Sequence, residues 1–193
     1  MASSLDRLGT FHPADRQAWR EWLEKNHATS PGIWIVYVKK GSGRVGLSYD
    51  DAVEEALCFG WIDSKVNPVD EAHFRQVYTP RKPGSIWSRI NKRRVEKLIA
   101  GGRMTAAGLA KVEAAKADGS WSFIDDVEAL ELPADLRLAL AANPIAQQRF
   151  EAFGSSYKKQ VLYWIKSAKR PETRKKRIEQ VVSLAAEGRK IRE

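Results

Sequence analysis

The chain has few of the residues that hold a fold together through covalent or metal bonds. Its 193 residues include a single cysteine, Cys58, and only three histidines. One cysteine excludes an intramolecular disulfide and is typical of a protein in a reducing compartment. So few thiol and imidazole groups also argue against a structural zinc site. We therefore expect a protein without a bound metal, and nothing in the sequence indicates a cofactor.

Long apolar stretches are missing as well. No run approaches the roughly 20 apolar residues that a membrane-spanning helix needs. The first seven residues lack the apolar core that an ordinary secretion signal contains. Together with the single cysteine, these absences predict a cytoplasmic protein with no transmembrane segment.

Charge is abundant and unevenly placed. Charged residues make up 30% of the chain and apolar residues 43%, as in soluble globular proteins, and the formal net charge is +9. Residues 61–100 carry nine basic and four acidic side chains, and residues 157–193 carry twelve and four. Basic blocks of this kind attract polyanions through long-range fields. Two solvated helix faces would give the same pattern, so charge alone leaves the partner open.

Three segments have the pattern of β-strands. Ile33–Val38 consists entirely of β-branched and aromatic residues, which predicts a strand buried on both faces. Residues 61–64 and 74–79 predict an antiparallel hairpin, and the link between them contains the turn residues Asn67-Pro68. The rest of the pattern is helical. The predicted fold class is α+β, with a small, mostly antiparallel three-stranded sheet flanked by helices and a C-terminal helical hairpin.

The composition predicts three regions along the chain. We place an α+β domain at residues 1–118, an acidic connecting segment at residues 119–143 and a basic helical region at residues 144–193. The last region contains two amphipathic helices separated at Pro171, a residue that breaks one helix and suits the first turn of the next.

A glycine pattern follows the first long strand. Gly41, Gly43 and Gly46 match the G-x-G-x-x-G spacing of dinucleotide-binding loops. In that fold the third glycine packs within the helix, whereas here the predicted N-cap, Ser48, follows all three glycines. We interpret the segment as a turn, and a phosphate-cradling loop stays open as the alternative.

The segment at residues 79–88, Thr-Pro-Arg-Lys-Pro-Gly-Ser-Ile-Trp-Ser, is the most distinctive in the chain. We predict Ser85 as the N-cap of the following helix, which would place Arg81 and Lys82 beside N–H groups that favour anions. The segment therefore predicts a basic pocket for a small anionic ligand or an acidic partner, with a merely structural turn as the alternative. The predicted ligand-binding residues are Lys39, Asp63, Arg81, Lys82, Ser85, Trp87, Ser88 and Asn91.

Two members of this set have additional interpretations. Asp63 follows an aromatic segment, where an acid either forms a structural ion pair or orients a ligand. Asn91 lies in an apolar helix face, and a buried amide needs partners, so it is either a structural clamp or part of the site. Asp63 or Cys58 would also serve an enzyme acting on an anionic substrate. We interpret Cys58 as a small buried residue and predict no catalytic residue.

The C-terminal hairpin carries a separate basic pattern. Lys159, Tyr163, Lys166 and Arg170 lie on one predicted helix face. Basic residues with an interleaved tyrosine indicate weak nucleic-acid binding as an alternative function. An anionic membrane surface or an acidic partner would suit the same face.

Short motifs spread along the chain are similar to those of a known family. They occur in order at residues 32–34, 39–43, 57–64, 79–88, 91–92, 164–169 and 172–178. Together, over about residues 10–190, they resemble the YdeI/OmpD-associated family, whose members are also described as bacteriocin-protection proteins. The resemblance implies a bacterial protein linked to protection against bacteriocins or antimicrobial peptides, and it brings no catalytic residue or cofactor.

The residues and the resemblance lead to one leading hypothesis. We expect a non-catalytic, cytoplasmic protein of the bacteriocin-protection type that binds a small anionic ligand or an acidic partner in the basic pocket. Direct capture of cationic peptides by a basic surface is disfavoured, because like charges repel. Nucleic-acid binding and catalysis on an anionic substrate stay open as alternatives, and the sequence leaves the oligomeric state undetermined.

Overall fold

The chain folds into two compact units, an N-terminal unit, Met1–Ser122, and a C-terminal unit, Phe123–Glu193. The computed structural model describes residues 4–39 and 46–191. The glycines at positions 41 and 43 of the predicted glycine turn therefore lie outside the described residues. Each unit has its own hydrophobic core.

The N-terminal unit is built on a mixed sheet of four strands within the described residues. The strands are β1 (Thr10–Phe11), β2 (Ile33–Val38), β3 (Trp61–Pro68) and β4 (His73–Pro80), in the order β1-β2-β4-β3. β4 pairs antiparallel with both β2 and β3, whereas β1 pairs parallel with β2. The prediction of three mostly antiparallel strands is thus wrong in the number of strands and in the direction of the first. A strand of two residues is too short to show a hydrophobic alternation in the sequence.

In the described part of this unit, four α-helices and one short 3-10 helix accompany the sheet, so the predicted α+β class with flanking helices is confirmed. The α-helices are α1 (Arg16–Asn26), α2 (Tyr49–Cys58), α3 (Arg89–Ala100) and α4 (Ala106–Ala117). Trp19 of α1 is fully buried against the edge of Tyr78 of β4, and its indole nitrogen donates to the Ala52 carbonyl of α2. The core therefore lies between the sheet and these helices.

Of the two helix N-caps predicted from the sequence, one is confirmed and one is wrong. Ser48 caps α2, because its hydroxyl accepts a hydrogen bond from the Asp51 N–H at 3.0 Å. The predicted cap Ser85 is wrong, since α3 begins after Ser88, whose hydroxyl accepts from the Asn91 N–H. The chain first makes a turn at Gly84, whose φ is +72°, and buries Trp87 before the helix begins.

In the C-terminal unit, all the regular secondary structure of the described residues is helical. Its helices are α5 (Asp125–Glu128), α6 (Ala134–Ala141), α7 (Pro144–Ala152), α8 (Ser155–Lys166) and α9 (Pro171–Ala186). The consecutive helices α8 and α9 contact each other and form the predicted helical hairpin. Leu136, Phe150 and Ile165 are central to the core of this unit. Across both described segments, no helix combines the length and apolar character needed to cross a bilayer.

Candidate functional site

Arg81, immediately after β4, has an unusual environment for an arginine. Its side chain is 4% exposed, and its guanidinium carbon lies 3.6 Å from the centre of the Trp87 ring. One terminal nitrogen, Nη1, donates to the Ile86 carbonyl at 3.3 Å. The Nε atom is buried and has no hydrogen-bond partner among the described residues. Arg81 therefore holds a buried donor that nothing in the described chain satisfies.

The charge of Arg81 is also left without a direct counter-ion. No carboxylate of the described residues forms an ion pair with it, and Asp63 acts on it only at longer range. Burial lowers the pKa of Arg81 to about 10, and the Asp63 carboxylate opposes this shift. The guanidinium is therefore positive at neutral pH. A buried charge without a partner is costly, so this position is suited to an anion.

A small cavity of about 40 Å³ lies beside Arg81. Arg81, Lys82 and Lys111 contribute positive charge to its lining, and Asp118 contributes the negative charge. Ser120 Oγ, which also lines the cavity, is buried and makes no well-aligned hydrogen bond to a described residue, but it lies close enough to the Asp118 carboxylate to lower the pKa of that group. Because a water molecule needs about 10–15 Å³ measured in this way, the volume holds a group of a few heavy atoms. The remaining lining residues are Pro83, Gly84, Ser85, Trp87, Ala114 and Ala115.

Hydrogen bonds that involve backbone groups fix the walls of this cavity. The Asp118 carboxylate accepts from the Gly84 N–H at 3.0 Å and from the Ser120 N–H at 2.8 Å, which ties the turn to the end of α4. At the other end of α4, the N–H and hydroxyl of Thr105 both donate to the Cys58 carbonyl. The cavity is therefore held open by the fold.

The structure brings together half of the predicted ligand-binding set. Arg81, Lys82, Ser85 and Trp87 line the same cavity. Lys39 does not join them, because it follows the end of β2 that pairs with the start of β4 and donates to the Asp70 carbonyl.

Ser88, Asn91 and Asp63, the other predicted members, have partners of their own. Ser88 is the cap of α3, and the Asn91 side-chain oxygen accepts a hydrogen bond from Arg94. Asp63 accepts hydrogen bonds from Tyr49 at 3.0 Å and from Gln76 at 2.6 Å.

A network of tyrosines surrounds Asp63. The hydroxyls of Tyr37 and Tyr78 are 2.6 Å apart and buried, and Tyr78 pairs with Asp63 across β3 and β4. Burial and then the Asp63 carboxylate raise the pKa of Tyr49 to about 12. The hydroxyl of Tyr49 is therefore neutral at physiological pH and donates to Asp63. Tyr49 and Gln76 thus hold the Asp63 carboxylate in place, and its charge acts on Arg81 at longer range.

Sequence reasoning missed a second buried charge cluster. The Glu55 side chain on α2 is fully buried and pairs with Arg16 at 2.5 Å, with Arg20 at 2.8 Å and with Arg103. The only signal in the sequence is the i, i+4 spacing of Arg16 and Arg20, which places them on one face of α1. Nothing in the spacing indicates that a single carboxylate would meet all three arginines.

Cys58, at the end of α2, is buried near this cluster. Its side chain is fully buried, and burial raises the pKa of the thiol to about 11. The thiol is therefore protonated at neutral pH, and a buried, protonated thiol is a poor nucleophile.

The basic face predicted on the C-terminal hairpin is partly neutralised. Lys159 pairs with Glu128 at 2.9 Å, and Lys166 pairs with Asp126 at 2.7 Å. Tyr163 is 43% exposed. Arg170, which precedes α9, is exposed. Two of the three predicted cations are thus charge-compensated within the C-terminal unit. No cluster of potential metal ligands occurs in the described segments.

Comparison with family models gives two matches. A model described as "Domain of unknown function (DUF8412)" matches residues 11–111, just over half of the chain. The chain belongs to this family. A second model, described as "Bacteriocin-protection, YdeI or OmpD-Associated", matches residues 129–188. This match confirms, over residues 129–188, the resemblance seen in the sequence. Comparison with curated proteins and with solved structures finds no match.

The two matches divide the motifs between the two units. The motifs at residues 164–169 and 172–178 lie within the bacteriocin-protection match. The motifs at residues 57–64 and 79–88, which include Arg81 and its turn, lie within the DUF8412 match. The description of that family assigns no function to the region that contains the cavity.

Proposed function

We propose that this protein is a non-catalytic binding protein of the bacteriocin-protection type, and that its N-terminal unit holds a small anionic ligand against Arg81. The observation that carries the proposal is the guanidinium itself, which is 4% exposed, has no ion pair with any described carboxylate and keeps a buried Nε–H without a partner. An anion in the cavity would satisfy both the charge and the donor.

The chemistry of the cavity favours a carboxylate. The Nε–H and the adjacent terminal N–H of a guanidinium form an edge that binds a carboxylate through two parallel hydrogen bonds. Ser120 Oγ can donate one more hydrogen bond in the same cavity. A volume of about 40 Å³ accommodates a carboxylate group and little else, so it favours a small free acid over an acidic protein partner.

The residues that line the cavity also favour binding without catalysis. Among the described residues that line the cavity, Asp118 is the only carboxylate and is held by two backbone N–H groups, and none of them carries a thiol or an imidazole. We therefore expect the ligand to be bound without being chemically transformed. Protection against bacteriocins would then be indirect, with the bound ligand acting as a signal. A single buried thiol is compatible with a reducing compartment, and we propose a cytoplasmic location on that ground.

Arg81→Met is expected to abolish the response to small carboxylates without destabilising the ligand-free protein. In the wild type, formate or acetate at tens of millimolar should raise the midpoint of thermal unfolding, because a ligand that binds only the folded state stabilises it. The variant removes an uncompensated buried charge and lets a flexible apolar side chain pack on Trp87. Thermal unfolding followed by tryptophan fluorescence, with chloride at matched ionic strength, measures both effects.

Arg93→Met is the matched control, because Arg93 is an exposed arginine of α3 outside the cavity. It should keep the full response to formate. A wild type that does not respond, together with an Arg81→Met variant that loses several kcal/mol of stability, would identify Arg81 as a structural clamp satisfied by water.

A further inference from the structure

The C-terminal unit contains a second and larger cavity, of about 380 Å³, along α8 and α9. We infer that it binds an amphipathic carboxylate, a small molecule with one apolar or aromatic body and one negative charge. The inference does not depend on the ligand of Arg81, since the two cavities lie in different units and differ about tenfold in volume.

The walls of this cavity are aromatic and aliphatic. Tyr157, Val161 and Trp164 line it from α8, and Ile191 lines it from the segment after α9. The Tyr157 hydroxyl accepts a hydrogen bond from the Ile191 N–H at 2.8 Å, which holds that segment against α8. A volume of 380 Å³ is within the range of about 300–1,000 Å³ typical of small-molecule sites. The body of the ligand would therefore be apolar.

Two cations lie against the aromatic walls. The guanidinium carbon of Arg177 is 4.9 Å from the Trp164 ring centre, and the ammonium of Lys190 is 5.3 Å from that of Tyr157. Arg177 donates to the Ser167 hydroxyl at 3.0 Å and to the Trp164 carbonyl, so its orientation is fixed. Within residues 123–191, neither cation forms an ion pair with a carboxylate.

Two neighbouring lysines differ from Arg177 and Lys190 in that they form ion pairs. Lys159 and Lys166, on the same helix as the cavity wall, are each paired with a carboxylate of α5. Arg177 and Lys190 lie against rings that line the cavity, although neither side chain is itself part of the lining, and within residues 123–191 they lack the carboxylate partners that Lys159 and Lys166 have. An anionic group at the rim of the cavity would complement Arg177 and Lys190, and rings of the ligand would contact Tyr157 and Trp164.

Polar groups at the rim would fix the orientation of such a ligand. The side chains of Gln160, Tyr163 and Gln180 line the cavity, are exposed and make no side-chain hydrogen bond to other described residues. Amide and phenol groups donate as well as accept, so they can bind the oxygen atoms of a carboxylate that the cations attract.

Fluorine NMR with 2-naphthoate as the probe tests the inference on the full chain. Trp164 is the single tryptophan of the C-terminal unit among seven in the protein, and the Trp164→Phe variant identifies its signal in protein labelled with 5-fluorotryptophan. The Trp164 signal should shift on addition of 2-naphthoate and should shift much less with neutral 2-naphthylmethanol at equal concentration. Arg177→Gln should weaken naphthoate binding at least fivefold.

The controls separate this site from general charge and from the Arg81 site. Lys176→Gln removes one charge from the adjacent, exposed position of α9, which does not lie against Tyr157 or Trp164, and it should leave the affinity unchanged. Lys190→Gln, at an exposed position, should weaken binding even if Arg177→Gln perturbs the fold. Arg81→Met should retain the Trp164 response. The inference is overturned if naphthoate leaves Trp164 unshifted, or if naphthylmethanol binds equally well and the Arg177 and Lys190 variants change nothing.

Discussion

Glu55→Gln is expected to lower the free energy of unfolding of the N-terminal unit by about 3 kcal/mol, as for other buried ion pairs that lose one partner. The Glu55 side chain is fully buried and binds three arginines, which come from α1 and from the segment between α3 and α4. Glutamine has nearly the same shape but no charge, and its amide group presents donors to donors. Arg16 would keep Asp51 and Glu54 as partners and Arg20 would keep Glu24, but the three guanidinium groups would lose the one buried carboxylate that they share.

Glu24→Gln is the matched control for this prediction. Glu24 pairs with the same Arg20 at 3.2 Å, but its side chain is 50% exposed. Exposed pairs contribute about 0–1 kcal/mol, so this variant should unfold almost as the wild type does. Urea unfolding followed by tryptophan fluorescence reports on the N-terminal unit, which holds six of the seven tryptophans. Equal effects of the two substitutions would show that the cluster does not stabilise the fold as we describe.

Gly108→Ala is expected to destabilise the protein by about 3 kcal/mol, at the upper end of the usual effect of overpacking. A Cβ atom at this position would lie 2.2 Å from the Cys58 carbonyl oxygen and 2.8 Å from that of Leu57. Both contacts are with backbone, which cannot rotate away as a side chain can. The clash would push α4 off the end of α2 and shift the wall that α4 supplies to the Arg81 cavity.

Helix propensity alone predicts that Gly108→Ala stabilises the protein. The direction of the measured change in stability therefore distinguishes helix propensity from the steric clash. Alanine is favoured over glycine inside a helix by about 1 kcal/mol. Ala110→Gly, at an exposed position of the same helix, should therefore lose about 1 kcal/mol. If Gly108→Ala stabilises the protein, then α4 does not pack on α2 as closely as the structure shows.

Much of the architecture could be predicted because the sequence patterns that indicate it lie within a few consecutive residues. β2 is a continuous run of β-branched and aromatic residues, and its bounds agree with the prediction. Ser48 was recognisable as a cap because a serine directly before a helical pattern, with an acid three residues on, is typical of a helix start, and the structure has it as the cap of α2. β1 was missed because two residues carry no periodicity, and its pairing with β2 is a tertiary contact.

The candidate site was predictable in part for the same reason. Arg81, Lys82, Ser85 and Trp87 lie within seven residues of one another, so a single turn brings them together. Lys39 lies outside that neighbourhood, at the far end of β4, and the strand register that places it there is not visible in the sequence. Ser120 was missed since it reaches the cavity only through the packing of α4.

The Arg81 Nε–H signal in a ¹H–¹⁵N NMR spectrum, assigned with Arg81→Lys and followed during titration with formate, tests the central claim most directly. We predict that this signal moves downfield and saturates, together with the Trp87 indole signal, whereas signals of exposed arginines such as Arg93 do not. An Arg81 signal that stays in place at saturating formate, or that moves no more than those of exposed arginines, would contradict the account.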